Sequence, residues 1–162
     1  KRKRNTVLMI ASLSKVKGLS TFMAVAELLP SFHFHLMLSA DMKSIRAYLD
    51  ESIPANVELI PAQSNIHPYL YEADLMLNLS NPFVWVETFG MTILEAMAYG
   101  VPSIVPNVGG PIELIEDGYN GFCVGVTDAK VVVEKIKEVL ESDNYMRFAD
   151  NAMICFRNKF NK

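Results

Sequence analysis

The sequence has 162 residues, 51% of them hydrophobic, which suits one compact domain with a full core spanning 1–162. Its net charge of -3 gives no general attraction to anionic polymers, so we expect no nucleic-acid partner. No apolar run reaches the length of a membrane span, and no signal-peptide pattern is present. The basic residues 1–4 are typical of a solvated linker, with a nucleic-acid or targeting patch as the alternative.

Short apolar runs alternate with segments of helical periodicity, which is the pattern of a parallel sheet with helices on both faces. Right-handed crossovers then favour a Rossmann-like, doubly wound α/β sheet of six strands, with its ligand crevice at the carboxyl ends of the strands. The predicted strands are 6–11, 33–38, 57–60, 75–79, 103–105 and 122–124. The predicted helices are 19–29, 42–50, 66–72, 92–99, 111–116, 129–140 and 144–160.

The loop after the first strand runs from Ser12 to Gly18 and ends at a predicted helix N-terminus. It combines small residues, a flexible glycine and Lys17, whose ammonium group can act as a point charge on a phosphate. The loop matches neither the dinucleotide-binding fingerprint nor a Walker A loop. It predicts a phosphate site that includes Ser12, Lys17 and Gly18, with an ordinary surface turn as the alternative.

A second loop leads into the predicted helix 92–99. Glu87 precedes Gly90, where the chain can turn tightly, and Glu95 lies about one turn inside the helix. The two carboxylates can accept hydrogen bonds from hydroxyl groups, and the backbone N–H groups of residues 90–92 can bind an anion. This arrangement favours a ligand made of sugar, phosphate and ribose.

Both glutamates also have a structural interpretation. The residues around Glu95 make its helix apolar almost all round, which predicts a buried carboxylate with partners, because an unpaired buried charge is costly. The alternative for Glu95 is an exposed helix residue. The alternative for Glu87 is a loop residue near the positive end of the helix dipole.

At this segment the sequence resembles the retaining GT-B glycosyltransferases of family four. Their donor domain carries two glutamates separated by seven residues and followed by a glycine and a proline, as Glu87, Glu95, Gly100 and Pro102 are here. Nearly the whole chain takes part in the resemblance. The other matching positions are Lys17 and Gly18, residues 71–74, residues 108–110, Glu113 and residues 120–121.

The resemblance implies one half of a GT-B architecture: a domain that binds a nucleotide-diphosphate sugar for retaining transfer of a hexose to a glycan or lipid-linked acceptor. Glu87 would act catalytically near the anomeric centre, Lys17 would bind the distal phosphate, and Glu95 would bind the ribose. No cofactor and no metal are expected, since the leaving group would be stabilised electrostatically. The backbone groups implied to bind the sugar and phosphate are those of Phe89, Gly90, Met91 and Thr92.

Two departures and one missing part qualify this expectation. Ala11 and Ser12 stand where the family has a glycine-arginine pair, and Thr88 replaces a glycine. We expect the 162 residues to form the donor domain without the N-terminal acceptor domain of the family, and this isolated domain to be inactive. The location expected is cytoplasmic, with the missing domain as a contact to the inner face of the membrane. A noncatalytic nucleotide-sugar-binding module, or a nucleotide-sugar epimerase or phosphorylase-like enzyme of the same architecture, remains the alternative.

The remaining chemistry-bearing side chains are interpreted as structural. The strand histidines lack a third metal ligand, and the cysteines lack a metal-binding spacing, which predicts buried free thiols. The aromatic residues of the second loop are more typical of packing than of a sugar or acceptor pocket. These residues are His33, His35, Cys123, Cys155, Phe83, Trp85 and Phe89.

Overall fold

The structure is a computed structural model that describes residues 3–49, 52–84, 90–141 and 143–160. The strands are β1 (Thr6–Ala11), β2 (His33–Leu38), β3 (Val57–Ile60), β4 (Leu75–Leu77), β5 (Ser103–Pro106) and β6 (Gly121–Val124). The α-helices are α1 (Leu19–Leu28), α2 (Met42–Tyr48), α3 (His67–Glu72), α4 (Met91–Ala98), α5 (Ala129–Leu140) and α6 (Tyr145–Phe160). Two 3-10 turns span Lys15–Lys17 and Gly110–Glu113.

The six strands form one parallel sheet in the order β3-β2-β1-β4-β5-β6. From β1 the chain moves outward through β2 to β3, returns to the other side of β1, and continues outward through β4 to β6. This confirms the predicted doubly wound, Rossmann-like α/β sheet. The direction of winding reverses between β1 and β4, and at such a switch point an open α/β sheet has its ligand crevice, at the carboxyl ends of the strands.

The core has one layer on each face of the sheet, because successive residues of a strand point to opposite faces. On one face Val7 and Met9 of β1 join buried residues of α1, α2 and α5. On the other face Leu8 joins buried residues of α3 and α4. Helix α6 contributes to both clusters through Phe148 and Ala152. Both faces are therefore covered, as an all-parallel sheet requires.

The predicted helix 111–116 is wrong, since the segment forms only the short 3-10 turn Gly110–Glu113. The buried side chain of Asn120 accounts for the early end. Its amide donates to the carbonyl of Leu114 at 2.9 Å and accepts from the N–H of Glu116 at 2.8 Å. A side chain thus satisfies backbone groups that a longer helix would have paired.

Strand β4 ends at Leu77, two residues earlier than predicted. The reason is local, because the Asn78 side chain accepts a hydrogen bond from the N–H of Ser80 at 3.0 Å and turns the chain. Asp128 is the N-cap of α5, because its side chain accepts a hydrogen bond from the N–H of Lys130. The last predicted residue of the second helix, residue 50, lies outside the described residues.

Cys123 and Cys155 are free thiols and are only partly buried. Burial, together with the nearby Asp117 carboxylate, raises the pKa of the Cys123 thiol to about 11. None of the helices in the described part of the chain is long and apolar enough to cross a membrane.

Candidate functional site

A cleft of about 260 Å³ lies at the carboxyl ends of the neighbouring strands β1 and β4. It lies at the switch point of the sheet, where open α/β folds bind their ligands. Its lining combines backbone from the strand ends, small polar side chains, one lysine and the start of α4. The lining residues are Met9, Ile10, Ala11, Ser12, Lys17, Ser39, Asn78, Leu79, Ser80, Gly90, Met91 and Thr92.

The first wall of the cleft is the loop between β1 and α1, which folds into the 3-10 turn that carries Lys17. Gly18 closes the turn, since its N–H donates to the carbonyl of Lys15 at 3.1 Å. It also begins α1 in the left-handed conformation, with φ at 80°. Glycine adopts this conformation without strain, so it lets Lys17 stand directly before a helix N-terminus.

Gly18 also lies against the second wall of the cleft. A Cβ atom at this position would be 2.1 Å from the carbonyl oxygen of Leu79. The two loops are joined by a hydrogen bond of 2.8 Å from the N–H of Asn81 to the carbonyl of Val16. The loops after β1 and β4 therefore hold each other in place.

The start of α4 completes the cleft, with Gly90, Met91 and Thr92 among its lining residues. Gly90 is the N-cap, and glycine has no side chain that could accept a hydrogen bond from the first N–H groups of the helix. The first N–H groups of a helix have no partner within the helix and lie at the positive end of its dipole. A helix N-terminus and a lysine thus border the same cleft, which suits an anionic ligand.

Glu95 lies one turn further along α4, on the same stripe as Met91 and Thr92. The prediction that Glu95 is buried in an apolar helix is wrong. Its side chain is partly exposed, because the stripe of α4 that carries it faces away from the two core clusters. Within the described ranges its carboxylate has no hydrogen-bond or ion-pair partner, and its role at a ribose stays a prediction.

Of the predicted site residues, the cleft brings together Ser12, Lys17, Gly90, Met91 and Thr92. Gly18 does not line the cleft but lies against its lining residue Leu79. Ser12 is exposed at the position where the resembled family has an arginine. Glu87 and Phe89 lie outside the described residues, and so do Thr88 and Trp85.

The interpretation of Phe83 as a packing residue is wrong, because its side chain is 87% exposed. Its N–H donates to the side chain of Asn81 at 3.0 Å, in a turn that follows directly on the cleft-lining Ser80. The turn presents the ring to solvent.

Sequence reasoning missed three polar residues of the cleft: Ser39, Asn78 and Ser80. A signal for them was present at the carboxyl edge of the predicted sheet, since Ser39 and Ser80 directly follow predicted strands and Asn78 is the last residue but one of the strand 75–79. Serine and asparagine are common in ordinary turns, and this hid the signal.

The strand histidines contribute no metal centre. His35 lies 3.4 Å from the carboxylate of Glu58 on the neighbouring strand, and His33 is exposed. Among the residues that the structure describes, no group of three or more His, Cys, Asp or Glu side chains could hold a metal ion.

The fold and this cleft define a Rossmann-like domain with a cleft at its switch point. Residues 1–153 match the model of the family described as glycosyl transferases group 1. The chain therefore belongs to that family.

Relatives of known activity match parts of the chain. Sucrose synthase of Acidithiobacillus caldus is 29% identical over 111 residues, which are 67% of this chain and 12% of that enzyme. N-acetyl-alpha-D-glucosaminyl L-malate synthase of Bacillus anthracis is 37% identical over 95 residues, which are 59% of this chain and 24% of that enzyme. The chain thus corresponds to a small part of the relatives that it matches.

Solved structures show the same fold over nearly the whole chain. Anabaena HepE in complex with UDP aligns with a TM-score of 0.83 at 24% identity, covering 97% of this chain and 45% of that chain. The C-terminal domain of the group 1 glycosyl transferase LpcC from Francisella tularensis aligns with a TM-score of 0.75 at 21% identity, covering 98% of this chain and 86% of that domain. These likenesses support one half of a GT-B architecture.

Proposed function

We propose that the chain binds the nucleotide-diphosphate sugar of a glycosyltransferase and serves retaining transfer of a hexose to a glycan or lipid-linked acceptor. The observation that carries the proposal is the cleft at the switch point, where Lys17 and the N-terminus of α4 border the same space. A diphosphate needs positive charge and N–H donors at one place, and these two elements supply both.

Each residue of the cleft has a role in this proposal. Lys17 and the backbone N–H groups at the start of α4 stabilise the departing diphosphate while positive charge spreads over the sugar ring. Glu95 accepts hydrogen bonds from the ribose hydroxyls. Glu87, outside the described residues, acts near the anomeric carbon, and Phe89 contributes its backbone to the sugar and phosphate.

The comparisons support a nucleotide sugar as the donor. HepE has been solved with UDP and with UDP-glucose, and the relatives that match by sequence include sucrose synthases. The acceptor and a second, facing domain belong to the proposal as well.

Calorimetry on the 162-residue chain tests the proposed donor site. We expect UDP, GDP or ADP to bind with a stoichiometry near one, and the cognate sugar nucleotide to compete. The titration is repeated with magnesium and with EDTA, because the proposal assigns no metal to the diphosphate. Absence of binding by all three diphosphates would contradict the proposed function. A strict need for magnesium would contradict the proposal that no metal binds the diphosphate.

Glu95→Ala should weaken binding of the cognate nucleoside diphosphate by about 1.5–3 kcal/mol, the range for a hydrogen bond to a charged group. The same loss should appear with the nucleoside alone, because the ribose is common to both ligands. Glu72→Ala, which removes an exposed carboxylate at the end of α3, is the matched control. Wild-type affinity in Glu95→Ala would show that the ribose is bound elsewhere.

Lys17→Ala should weaken binding of the nucleoside diphosphate more than binding of the nucleoside, because the part of the ligand that the ammonium group is proposed to contact is the diphosphate. Lys15→Ala is the control, since Lys15 is an exposed cation in the same turn but does not line the cleft. Equal losses for the two ligands in Lys17→Ala would contradict the phosphate assignment.

One observation favours a second candidate, a noncatalytic nucleotide-sugar-binding module. Lys17 is the only cationic side chain among the described residues that line the cleft, and Ser12 stands where a second cation would assist departure of the diphosphate. Ser12→Arg tests whether the site lacks a second cation for tight binding of the diphosphate. A catalytic domain that relies on Lys17 and α4 should bind diphosphate with wild-type or moderately higher affinity, whereas a large gain in affinity would show that the natural site is tuned for weak binding.

A further inference from the structure

The hydroxyl group of Tyr48 accepts a hydrogen bond that the sequence did not predict. The backbone N–H of Lys15 donates to the Tyr48 hydroxyl oxygen at 2.8 Å. Lys15 is the first residue of the 3-10 turn that carries Lys17, and Tyr48 is the last residue of α2. A contact across 33 positions in the sequence therefore reaches the turn that borders the cleft.

The first N–H of a 3-10 turn has no partner within the turn, so the Tyr48 hydroxyl caps it from outside. The middle of the turn is held separately, through the hydrogen bond from the N–H of Asn81 to the carbonyl of Val16. Gly18 ends the turn against Leu79. Of these three restraints, Tyr48 is the only one made by a side chain, and it acts two residues before Lys17.

The side chain of Tyr48 is 39% exposed, whereas Ile45, one turn earlier in α2, is fully buried and anchors the helix in the core. Packing of α2 therefore does not depend on the Tyr48 hydroxyl. If the hydroxyl were lost, water could solvate the N–H of Lys15, since the bond lies in an exposed region. The fold would persist while the turn lost one restraint.

We propose that Tyr48 is a positioning residue for Lys17: its hydroxyl holds the 3-10 turn so that the ammonium group meets the diphosphate of the donor. The inference rests on the proposed function. A preorganised lysine binds phosphate more tightly than one that must be ordered on binding, because its conformational entropy is lost when the protein folds and not when the ligand binds. The affinity gained from this preorganisation is therefore confined to ligands that carry a phosphate.

Tyr48→Phe should therefore weaken binding of UDP by about twofold to tenfold, the equivalent of one hydrogen bond of ordinary strength, and leave binding of uridine unchanged. GDP with guanosine, or ADP with adenosine, replaces this pair if the wild type prefers them. The matched control is Tyr71→Phe, which removes the hydroxyl of a tyrosine that is 79% exposed on α3. The melting temperature of Tyr48→Phe should remain close to that of the wild type.

A double-mutant cycle tests whether the effect passes through the N–H of Lys15. Lys15→Pro removes this donor and suits the site, since proline is tolerated at the first position of a helical turn and Ser14 before it is extended at φ -148° and ψ 138°. In the Lys15→Pro background Tyr48→Phe should have no further effect on UDP binding. In the Lys15→Ala background, which keeps the N–H, the full effect should remain.

The outcomes separate this inference from the proposed function. If the wild type binds none of the three diphosphates, both fall together. If it binds and Lys17→Ala is selective for the diphosphate, but Tyr48→Phe behaves like Tyr71→Phe, only the positioning role is overturned. Equal losses of UDP and uridine binding in Tyr48→Phe would overturn it too, because they would indicate a general structural defect.

Discussion

Gly18→Ala is expected to destabilise the chain by about 2–5 kcal/mol and to abolish nucleotide binding at the cleft. Two effects act together at this position. The backbone φ of 80° is unfavourable for any residue with a side chain, and the new methyl group would lie 2.1 Å from the carbonyl oxygen of Leu79. Backbone cannot yield as a flexible side chain can, so the loops after β1 and β4 must move apart. Thermal unfolding should show a midpoint lowered by about 5–15 °C.

Gly118→Ala separates the two effects. Gly118 has a nearly identical φ of 77°, but a Cβ atom there would meet nothing within 4 Å. This variant carries only the conformational strain, of about 1–2 kcal/mol, and lies in a turn outside the cleft. If Gly18→Ala were no less stable than Gly118→Ala and still bound nucleotide, close contact between the two loops would not be what shapes the site.

Strand positions were accessible from the sequence because each strand is a short apolar run bounded by polar or turn residues. The predicted bounds of β1, β2 and β3 agree with the structure at every residue. The 3-10 turn Lys15–Lys17 was not predicted, since it depends on contacts with Asn81 and Tyr48, which are distant in sequence. Local pattern therefore predicted the regular elements, and tertiary contacts decided the shape of the loops.

For the candidate site, the sequence predicted which residues lie together but not how exposed their side chains are. Ser12, Lys17 and residues 90–92 were placed near one another because the loops of a doubly wound sheet converge at its carboxyl edge, and they line one cleft. The exposure of individual side chains could not be predicted from the order of strands and helices. Glu95 was expected to be buried and Phe83 to be packed, but both are accessible, because α4 and the preceding turn lie at the surface.

The 162 residues alone are expected to bind the nucleoside diphosphate and to show no transfer of sugar to an acceptor. The described residues form a donor cleft at the carboxyl edge of the sheet, and the proposal assigns the orientation of the acceptor to a second, facing domain. Holding two reactants in a productive geometry contributes about 7–11 kcal/mol to a reaction barrier. The loss of this contribution would lower turnover below detection even with Lys17 and Glu87 in place.

The assay incubates the chain with the sugar nucleotide that calorimetry identifies and a panel of glycan and lipid-linked acceptors, beside the product of the whole gene. Release of free sugar is measured too, because water reaches an open cleft and hydrolysis would report the leaving-group chemistry without an acceptor. Transfer by the 162 residues at the rate of the whole gene product would show that no facing domain is needed. If neither form transfers or hydrolyses a donor that binds, the noncatalytic module gains support, since Lys17 would then suffice for binding but not for departure of the diphosphate.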